Sequence, residues 1–354
     1  MKTRISILIS VCCLAVTVWP QPQGKHKITK FNVPGAGTAS GQGTVGAGIV
    51  DDGSVMGWYI SSNGVYHGFL RNPAGKIAKF DPKGSQGTHA FGMNSALAIT
   101  GYYLDTAGRA HGFLRSPKGR FTRIDVPGAG KGSGQGTVAD SINVKGEIAG
   151  YYVDPKGVSH GFLRTQGGKL TTFDAPGAGK GSGQGTSPAG FDGLTDAGAI
   201  AGSSTDSNGV PHGFLRTPAG KFATFDPRGS VNTFVSGLNS KETVMGSYVD
   251  SNGAFHGFLR KVGGAIISFD VPNSIGTGGN NINAGGTIAG DYVDSNGVFH
   301  GFSRDPNGKY TKFSVPGAGT GSGQGTLPYS NNSTGAIAGP YVDANGVNHG
   351  FVWQ

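Results

Sequence analysis

Cysteine is nearly absent from this sequence: the chain has two, Cys12 and Cys13, and both lie in its first 18 residues. Charge is also sparse, since Asp, Glu, Lys and Arg make up 14% of the residues and the net charge of +9 is spread thinly. The first absence excludes a disulfide framework from everything after residue 18. The second, together with the lack of any Lys/Arg cluster interleaved with aromatics, argues against a nucleic-acid groove.

The first residues are typical of a secretory signal. Lys2 and Arg4 precede an apolar run over residues 5–18, which is too short and too early for a spanning helix. We therefore predict a signal peptide over residues 1–24 and a single mature domain over residues 25–354. We expect the mature protein to be secreted, in the periplasm or outside the cell, without a membrane span and as a monomer.

Apolar residues at helical spacing are lacking in the mature chain, whereas glycine is abundant, at 67 of 354 residues. The tripeptide His-Gly-Phe occurs seven times, at intervals of about 44 to 52 residues and always inside the same longer phrase. Its histidines are His67, His111, His160, His212, His256, His300 and His349. A repeat of this period predicts units that bury their apolar faces only by stacking on their neighbours.

Each unit contains four short strand-like stretches, which in the third unit cover residues 137–143, 147–154, 158–165 and 169–175. Tight Gly-containing turns join them, and the one long link follows the fourth strand. The pattern predicts an all-β fold, a seven-bladed β-propeller of four-stranded blades, because solenoid coils are shorter and a trefoil has three units. An isolated strand at 27–33 should complete the last blade, which ends at 347–353, and close the ring.

The repeated phrase resembles the HAF family of bacterial extracellular repeats. The resemblance rests on Ile/Leu-Asn-x-x-Gly-x-Ile-x-Gly followed by His-Gly-Phe-Leu-Arg, and it covers nearly all of residues 27–354. This chain differs in having Gly where that signature has Ala, and in its added GAG-x-GSGQG linker. The resemblance implies a secreted, propeller-like protein and implies no activity.

Residues that recur in every unit favour a structural role. We expect the repeated histidine to be buried and hydrogen-bonded within its blade, with the second-strand Tyr, such as Tyr152, and the Asp of Phe-Asp-x-Pro, such as Asp174, as partners. The Asp-x-Asn-Gly turns offer too few oxygens for calcium, and the Gly-rich linkers lack a following helix and a Gly-Lys-Ser/Thr ending. We predict no metal and no cofactor.

We look for function where the units differ, at the first and third positions after the Thr that follows each linker, such as Val45 and Ala47 after Thr44. Alternation along the first strand would place these two positions on one face of a channel mouth. The fourth unit also carries an insertion, Phe191-Asp192-Gly193. The candidate ligand-binding residues are His89, Phe91, Asp140, Asp192, Phe234, Asn280 and Tyr329.

Three functions fit these residues. The leading hypothesis is a secreted binding module for an extracellular polysaccharide or other cell-surface component, with the ligand at the asymmetric channel mouth. The first alternative is a glycoside hydrolase or lyase, with Asp140 and Asp192 as acid and base or His89 as base; a hydrolase needs its two carboxyl groups about 5 to 9.5 Å apart. The second alternative is a purely structural cell-surface protein.

Overall fold

The computed structural model describes residues 26–354, and the predicted signal peptide lies outside the described residues. Every regular element between residues 26 and 354 is a β-strand, which confirms the predicted all-β class. Within that range no helix is long and apolar enough to cross a membrane.

The strands are short and follow one another in a regular order. The first half of the chain contains β1 (Ile28–Phe31), β2 (Gly43–Ile49), β3 (Val55–Ile60), β4 (Tyr66–Arg71), β5 (Ile77–Phe80), β6 (Gly87–Met93), β7 (Ile99–Leu104), β8 (Ala110–Arg115), β9 (Phe121–Ile124), β10 (Gly136–Ile142), β11 (Ile148–Val153), β12 (Ser159–Arg164) and β13 (Leu170–Phe173). The second half contains β14 (Gly185–Pro188), β15 (Ile200–Thr205), β16 (Pro211–Arg216), β17 (Phe222–Phe225), β18 (Ser230–Leu238), β19 (Val244–Asp250), β20 (Phe255–Arg260), β21 (Ile266–Phe269), β22 (Gly276–Ile282), β23 (Ile288–Val293), β24 (Phe299–Arg304), β25 (Tyr310–Phe313), β26 (Gly325–Thr326), β27 (Ser330–Asn331), β28 (Ile337–Val342) and β29 (Asn348–Trp353).

Each repeat unit folds as an antiparallel meander. In the third unit β10 pairs with β11, β11 with β12 and β12 with β13. The same order recurs in β2–β5, β6–β9, β14–β17, β18–β21 and β22–β25. In the last unit β26 and β27 share the place of the first strand beside β28, and β28 pairs with β29. Its outer strand is β1, which pairs antiparallel with β29 from Ile28 opposite Trp353 to Phe31 opposite Gly350.

The phenylalanine of His-Gly-Phe lies in the core of each unit, and the glycine lets a second aromatic ring pack beside it in most units. All seven phenylalanines are fully buried, and in the third unit this residue is Phe162. The preceding Gly161 lies under the ring of Phe173 from the fourth strand, and a Cβ added there would come within 2.3 Å of that ring. Alanine at this position, as in the HAF signature, would therefore displace the ring, which gives a physical reason for the glycine.

Arginines of the third strands connect five of the seven units to the unit before. The guanidinium of Arg216 lies 4.9 Å from the ring of Phe173, and Arg71 lies 5.1 Å from the ring of Phe31. Such cation–π contacts contribute about 0.5–1 kcal/mol at exposed sites and more when desolvated. Phe31 on β1 thus receives the same contact from the first unit that Phe173 receives from the fourth.

The long glycine-rich linkers fold onto both units that they join. The carbonyl of Gln135 accepts a hydrogen bond from the Ala110 amide at 2.8 Å, and its side-chain amide donates to the Pro155 carbonyl at 3.1 Å. Gly136 has φ +117°, and a Cβ there would lie 2.0 Å from the Ala110 carbonyl oxygen. Glycine is required because only a residue without a side chain permits this backbone approach.

Asparagine side chains join neighbouring units where the first strands end. The Asn94 amide donates to the carbonyl of Asn143 at 3.0 Å, and the Asn283 amide donates to that of Asn332 at 2.8 Å. Asn332 in turn donates to the carbonyl of Val50 at 3.1 Å, so the last unit is bonded to the first in the same way.

The histidine of His-Gly-Phe bridges two loops of its own unit. In the third unit, His160 Nδ1 lies 2.9 Å from Asp174, which is the hydrogen-bond partner predicted. Tyr152, which we also expected to hydrogen-bond the histidine, instead stacks on its ring with centroids 4.9 Å apart. His160 Nε2 lies 3.6 Å from Asp154 in the turn between the second and third strands, a partner that we did not predict. Of the seven repeated histidines, His111 is buried and the other six are half-buried. The prediction that all of them are buried is therefore correct for His111 alone.

Candidate functional site

Facing residues of the first and second strands differ most between units at the predicted mouth. These cross-strand pairs are Val45–Trp58, His89–Tyr102, Val138–Tyr151, Ser187–Ser203, Phe234–Ser247 and Gly278–Asp291. Directly opposed side chains contact one another, so each pair sets the local surface. Units one to three present large aromatic rings here, whereas units four to six present hydroxyls, one phenyl ring and a carboxyl group.

The third position after the linker Thr is a β-bulge in five units. Register shifts leave these residues without an opposing partner: Ala47, Phe91, Asp140, Ser236 and Asn280. A bulge bends the strand and changes the direction of the unpaired side chain. We assumed that side chains alternate regularly between the two faces of the strand from the first to the third position. In these five units the bulge interrupts that alternation.

His89 and Phe91 belong to an aromatic cluster. His89 is stacked between Tyr66 and Tyr102, with centroid distances of 4.3 and 4.7 Å, and Phe91 lies 5.8 Å from Trp58. Burial lowers the pKa of His89 to about 4, so the imidazole is neutral at physiological pH. The rings of Tyr66 and Tyr102 cover both faces of the His89 imidazole.

The insertion of the fourth unit crosses the space between the first strands. Phe191 has φ +61°, which is unusual for an aromatic residue, and its ring lies 5.7 Å from Phe91 and 6.4 Å from Tyr329. Phe191 lines a cavity of about 260 Å³ together with Tyr329. Its neighbour Asp192 lines another cavity, of about 240 Å³. The insertion therefore presents a phenyl ring to one cavity and a carboxyl group to the other.

The two candidate catalytic carboxyl groups have different surroundings. Asp140 is buried near Tyr102 and Tyr151, its Oδ2 has no hydrogen-bond partner among the described residues, and burial raises its pKa well above the usual value. Burial also raises the pKa of Asp192, although a hydrogen bond from Asn281 lowers it. The cavity that Asp192 lines does not include Asp140.

A larger cleft opens between the fifth and sixth units, with a volume of about 510 Å³. Its walls are apolar and consist of Phe234, Phe255, Ile275, Val293 and Phe299. Its polar groups are Ser236, Ser247, Thr277, Asn280 and Asp291. Phe255 and Ile275 are 50% and 59% exposed, and large apolar side chains grouped in this way at a surface mark an interaction site. We call this set of residues the 5–6 cleft.

A carboxyl group lies at the base of the 5–6 cleft. Burial raises the pKa of Asp291 to about 6, and the Asn280 amide donates to its Oδ1 at 2.5 Å and to the Pro328 carbonyl at 2.7 Å. Gly278 lies opposite Asp291, and a Cβ added to it would approach the carboxyl oxygens no closer than 3.5 Å. The missing side chain at Gly278 leaves room above the carboxyl group.

The structure separates the candidate residues into groups. Phe234 and Asn280 meet in the 5–6 cleft, and Asn280 and Tyr329 share the adjoining smaller cavity. Sequence reasoning missed Phe255 and Phe299, which precede the repeated histidine. That position also varies between units, as Tyr66, Ala110, Ser159, Pro211, Phe255, Phe299 and Asn348, and this variation was the available signal.

No protein-family model matches the sequence, and no curated protein is detectably similar to it, so the HAF resemblance stays a prediction. Among solved structures, the β-propeller domain of the Trilobed protease from Pyrococcus furiosus is similar over 90% of this chain and 95% of its own, with a TM-score of 0.57 and 8% identity. Puromycin hydrolase is similar over 86% of this chain and 51% of its own, with a TM-score of 0.55 and 13% identity. An Aleuria aurantia lectin in complex with α-methyl-L-fucoside has a TM-score of 0.43 and 10% identity, over 80% of this chain and 96% of its own.

The similarity to the Pyrococcus furiosus domain shows that the chain has a β-propeller fold. That domain is described as having an open velcro topology, whereas β1 pairs with β29 in the present chain. At such low identities the likeness concerns the fold alone, and function must be argued from the site.

Proposed function

We propose that this protein is a secreted, seven-bladed β-propeller, closed by β1, that binds an extracellular glycan in the 5–6 cleft at the channel mouth. Secretion rests on the signal-like residues 1–18. The seven blades would be the seven repeat units. We propose a glycan as the ligand because the chemistry of the cleft favours that class of molecule.

Closure of the ring is supported by the equivalence of β1 to the fourth strands. Phe31 covers Gly350 as Phe173 covers Gly161, and it receives the cation–π contact of Arg71. The hydrogen bond from Asn332 to the first unit repeats those between other neighbours. Without β1 the outer edge of β29 would be unpaired, and an open strand edge invites edge-to-edge aggregation.

The 5–6 cleft is the observation that carries the binding function. Its volume of about 510 Å³ falls in the range of roughly 300–1,000 Å³ that is usual for ligand sites. Phenyl rings such as those of Phe234 and Phe255 can cover the apolar C–H face of a sugar ring, while Asn280, Asp291 and the hydroxyls can bond its hydroxyl groups. Apolar walls with a few directed polar groups are the usual composition of such sites.

A blocking substitution tests this proposal. Gly278→Val introduces the side chain that the first and third units carry as Val45 and Val138, and the backbone at Gly278 accepts a Cβ without a clash. Ser187→Val is the matched control, because it makes the same residue at the same position of the fourth unit, outside the 5–6 cleft.

Glycans selected on an array would be titrated calorimetrically against the wild type and both variants. We expect Gly278→Val to weaken binding at least about tenfold, since the ligand loses its place above Asp291, and Ser187→Val to bind as the wild type does. Equal affinity of all three proteins would contradict the 5–6 cleft as the site.

A further inference from the structure

We propose that the 5–6 cleft selects a basic sugar, a glycan unit with a free, protonated amino group, and that Asp291 is its counter-ion. The inference rests on the proposed glycan-binding function and narrows it to one ligand chemistry. It follows from the charges, the hydrogen bonds and the shape of the cleft.

Asp291 is the one residue lining the 5–6 cleft, within the described part of the chain, whose side chain ionises between pH 3 and 10. Although the whole chain carries a net charge of +9, none of the Lys, Arg or His residues between 26 and 354 lines this cleft. A ligand that enters it therefore meets a negative charge on an apolar background. Electrostatic complementarity at such a site selects cations and disfavours anions.

The Asp291 carboxyl group also has unused capacity to accept hydrogen bonds. Asn280 and the backbone amide of Asp291 donate to the carboxyl group, and within residues 26–354 no other side chain donates to it. An ionised carboxylate has about four lone-pair sites, so Oδ2 can receive a donor from the ligand. Ammonium–carboxylate hydrogen bonds are roughly twice as strong as bonds between neutral groups.

The position of the carboxyl group favours a small donor. Gly278, with no side chain, faces Asp291, and the phenyl rings of Phe234, Phe255 and Phe299 form the walls. A sugar ring lying against one of these rings would direct an amino substituent towards the base of the cleft. Asp291 is half-buried, and burial raises its pKa to about 6. An ammonium group is a favourable partner for a carboxylate that is partly removed from water.

Three oligosaccharides with the same β-1,4 backbone provide the test. Oligomers of glucose, N-acetylglucosamine and glucosamine differ in carrying a hydroxyl, a neutral amide or a basic amine. Each would be titrated calorimetrically at about pH 6.5 against the wild type, Asp291→Asn and Asp305→Asn. Asp305 lies in another turn of the same unit and outside the 5–6 cleft, so its variant removes the same charge from a distance.

We expect the wild type to bind the glucosamine oligomer at least about tenfold more tightly than the other two. Asp291→Asn should remove this preference, and Asp305→Asn should keep it. Equal affinity of the wild type for all three oligomers would overturn the basic-sugar inference and leave the glycan-binding function standing. Binding of none of the three would also overturn the basic-sugar inference, and the titration of array-selected glycans would then decide the glycan-binding function separately. A dimer that forms through the cleft, detected by sedimentation and abolished by Gly278→Val, would overturn both proposals.

Discussion

Replacing the repeated histidine should destabilise the fold by an amount that depends on its surroundings in each unit. His111 is buried, and its two nitrogens lie 2.8 and 3.0 Å from Asp125 and Asp105. In His160 the corresponding distances are 2.9 Å, to Asp174, and 3.6 Å, to Asp154. His111→Ala therefore removes two close hydrogen bonds from a buried ring, and His160→Ala removes one from a half-buried ring.

The expected losses follow from these contacts. Hydrogen bonds to charged groups contribute about 1.5–3 kcal/mol when buried, and solvent screening reduces this at exposed sites. We expect His111→Ala to lower the free energy of unfolding by about 3 kcal/mol and His160→Ala by about 1 kcal/mol. Part of each loss is the contact with the second-strand tyrosine, since aromatic pairs contribute about 0.5–1.5 kcal/mol.

Urea unfolding followed by intrinsic fluorescence would measure both losses. The folded fraction of His160→Ala should bind glycan as the wild type does, because the ring lies outside the 5–6 cleft. A loss of binding without a loss of stability would refute the structural role of the motif. A loss for His160→Ala as large as that for His111→Ala would refute the reasoning from burial and distance.

Three further predictions concern closure, pH and catalysis. Phe31→Ala and its internal equivalent Phe173→Ala should each lower the free energy of unfolding in urea by about 2–3 kcal/mol, because both rings are half-buried over a glycine. A much smaller loss for Phe31→Ala would contradict ring closure. An unchanged melting temperature after deletion of residues 26–33 would contradict it too. The melting temperature should fall as pH rises from about 6.5 to 8, an interval in which His89 is largely neutral in both the folded and the unfolded state. The hydrogen bond to its carboxylate partner raises the pKa of His212 and burial raises that of Asp140, so in both groups the folded state holds the proton more tightly than the unfolded state. A rise over this interval would contradict these shifts. Asp140→Asn and Asp192→Asn should each leave the affinity for glycan within about twofold of the wild-type value. We expect no hydrolysis by either variant or by the wild type. Product formation by the wild type that both substitutions abolish would favour the hydrolase alternative.

Much of the fold could be predicted because the sequence repeats its own packing rules. The turn residues, such as Asp154 and Gly157, and the buried Phe162 recur at fixed spacing, so strand number and order within a unit follow from local chemistry. Contacts between units are harder to predict from the sequence. The stacking of Arg216 on Phe173 joins residues of different units, and no local pattern identifies such a partner.

The candidate site was only partly predictable for a related reason. Variation between units pointed to Phe234 and Asn280, which do line the 5–6 cleft. The bulge at Asn280 altered the direction of its side chain, and the alternation rule does not predict bulges. Phe255 comes from the third strand of the fifth unit and reaches the cleft across the unit boundary, so it was found only when the neighbouring units were placed side by side.

A crystal structure of the protein soaked with a glucosamine oligomer tests the central claim most directly. The account predicts a sugar ring in the 5–6 cleft, against Phe234 or Phe255, with its amino nitrogen within hydrogen-bonding distance of Asp291. Sugar density at the outer blade edges, along the glycine-rich linkers or against the His89 cluster, with the 5–6 cleft empty, would contradict it.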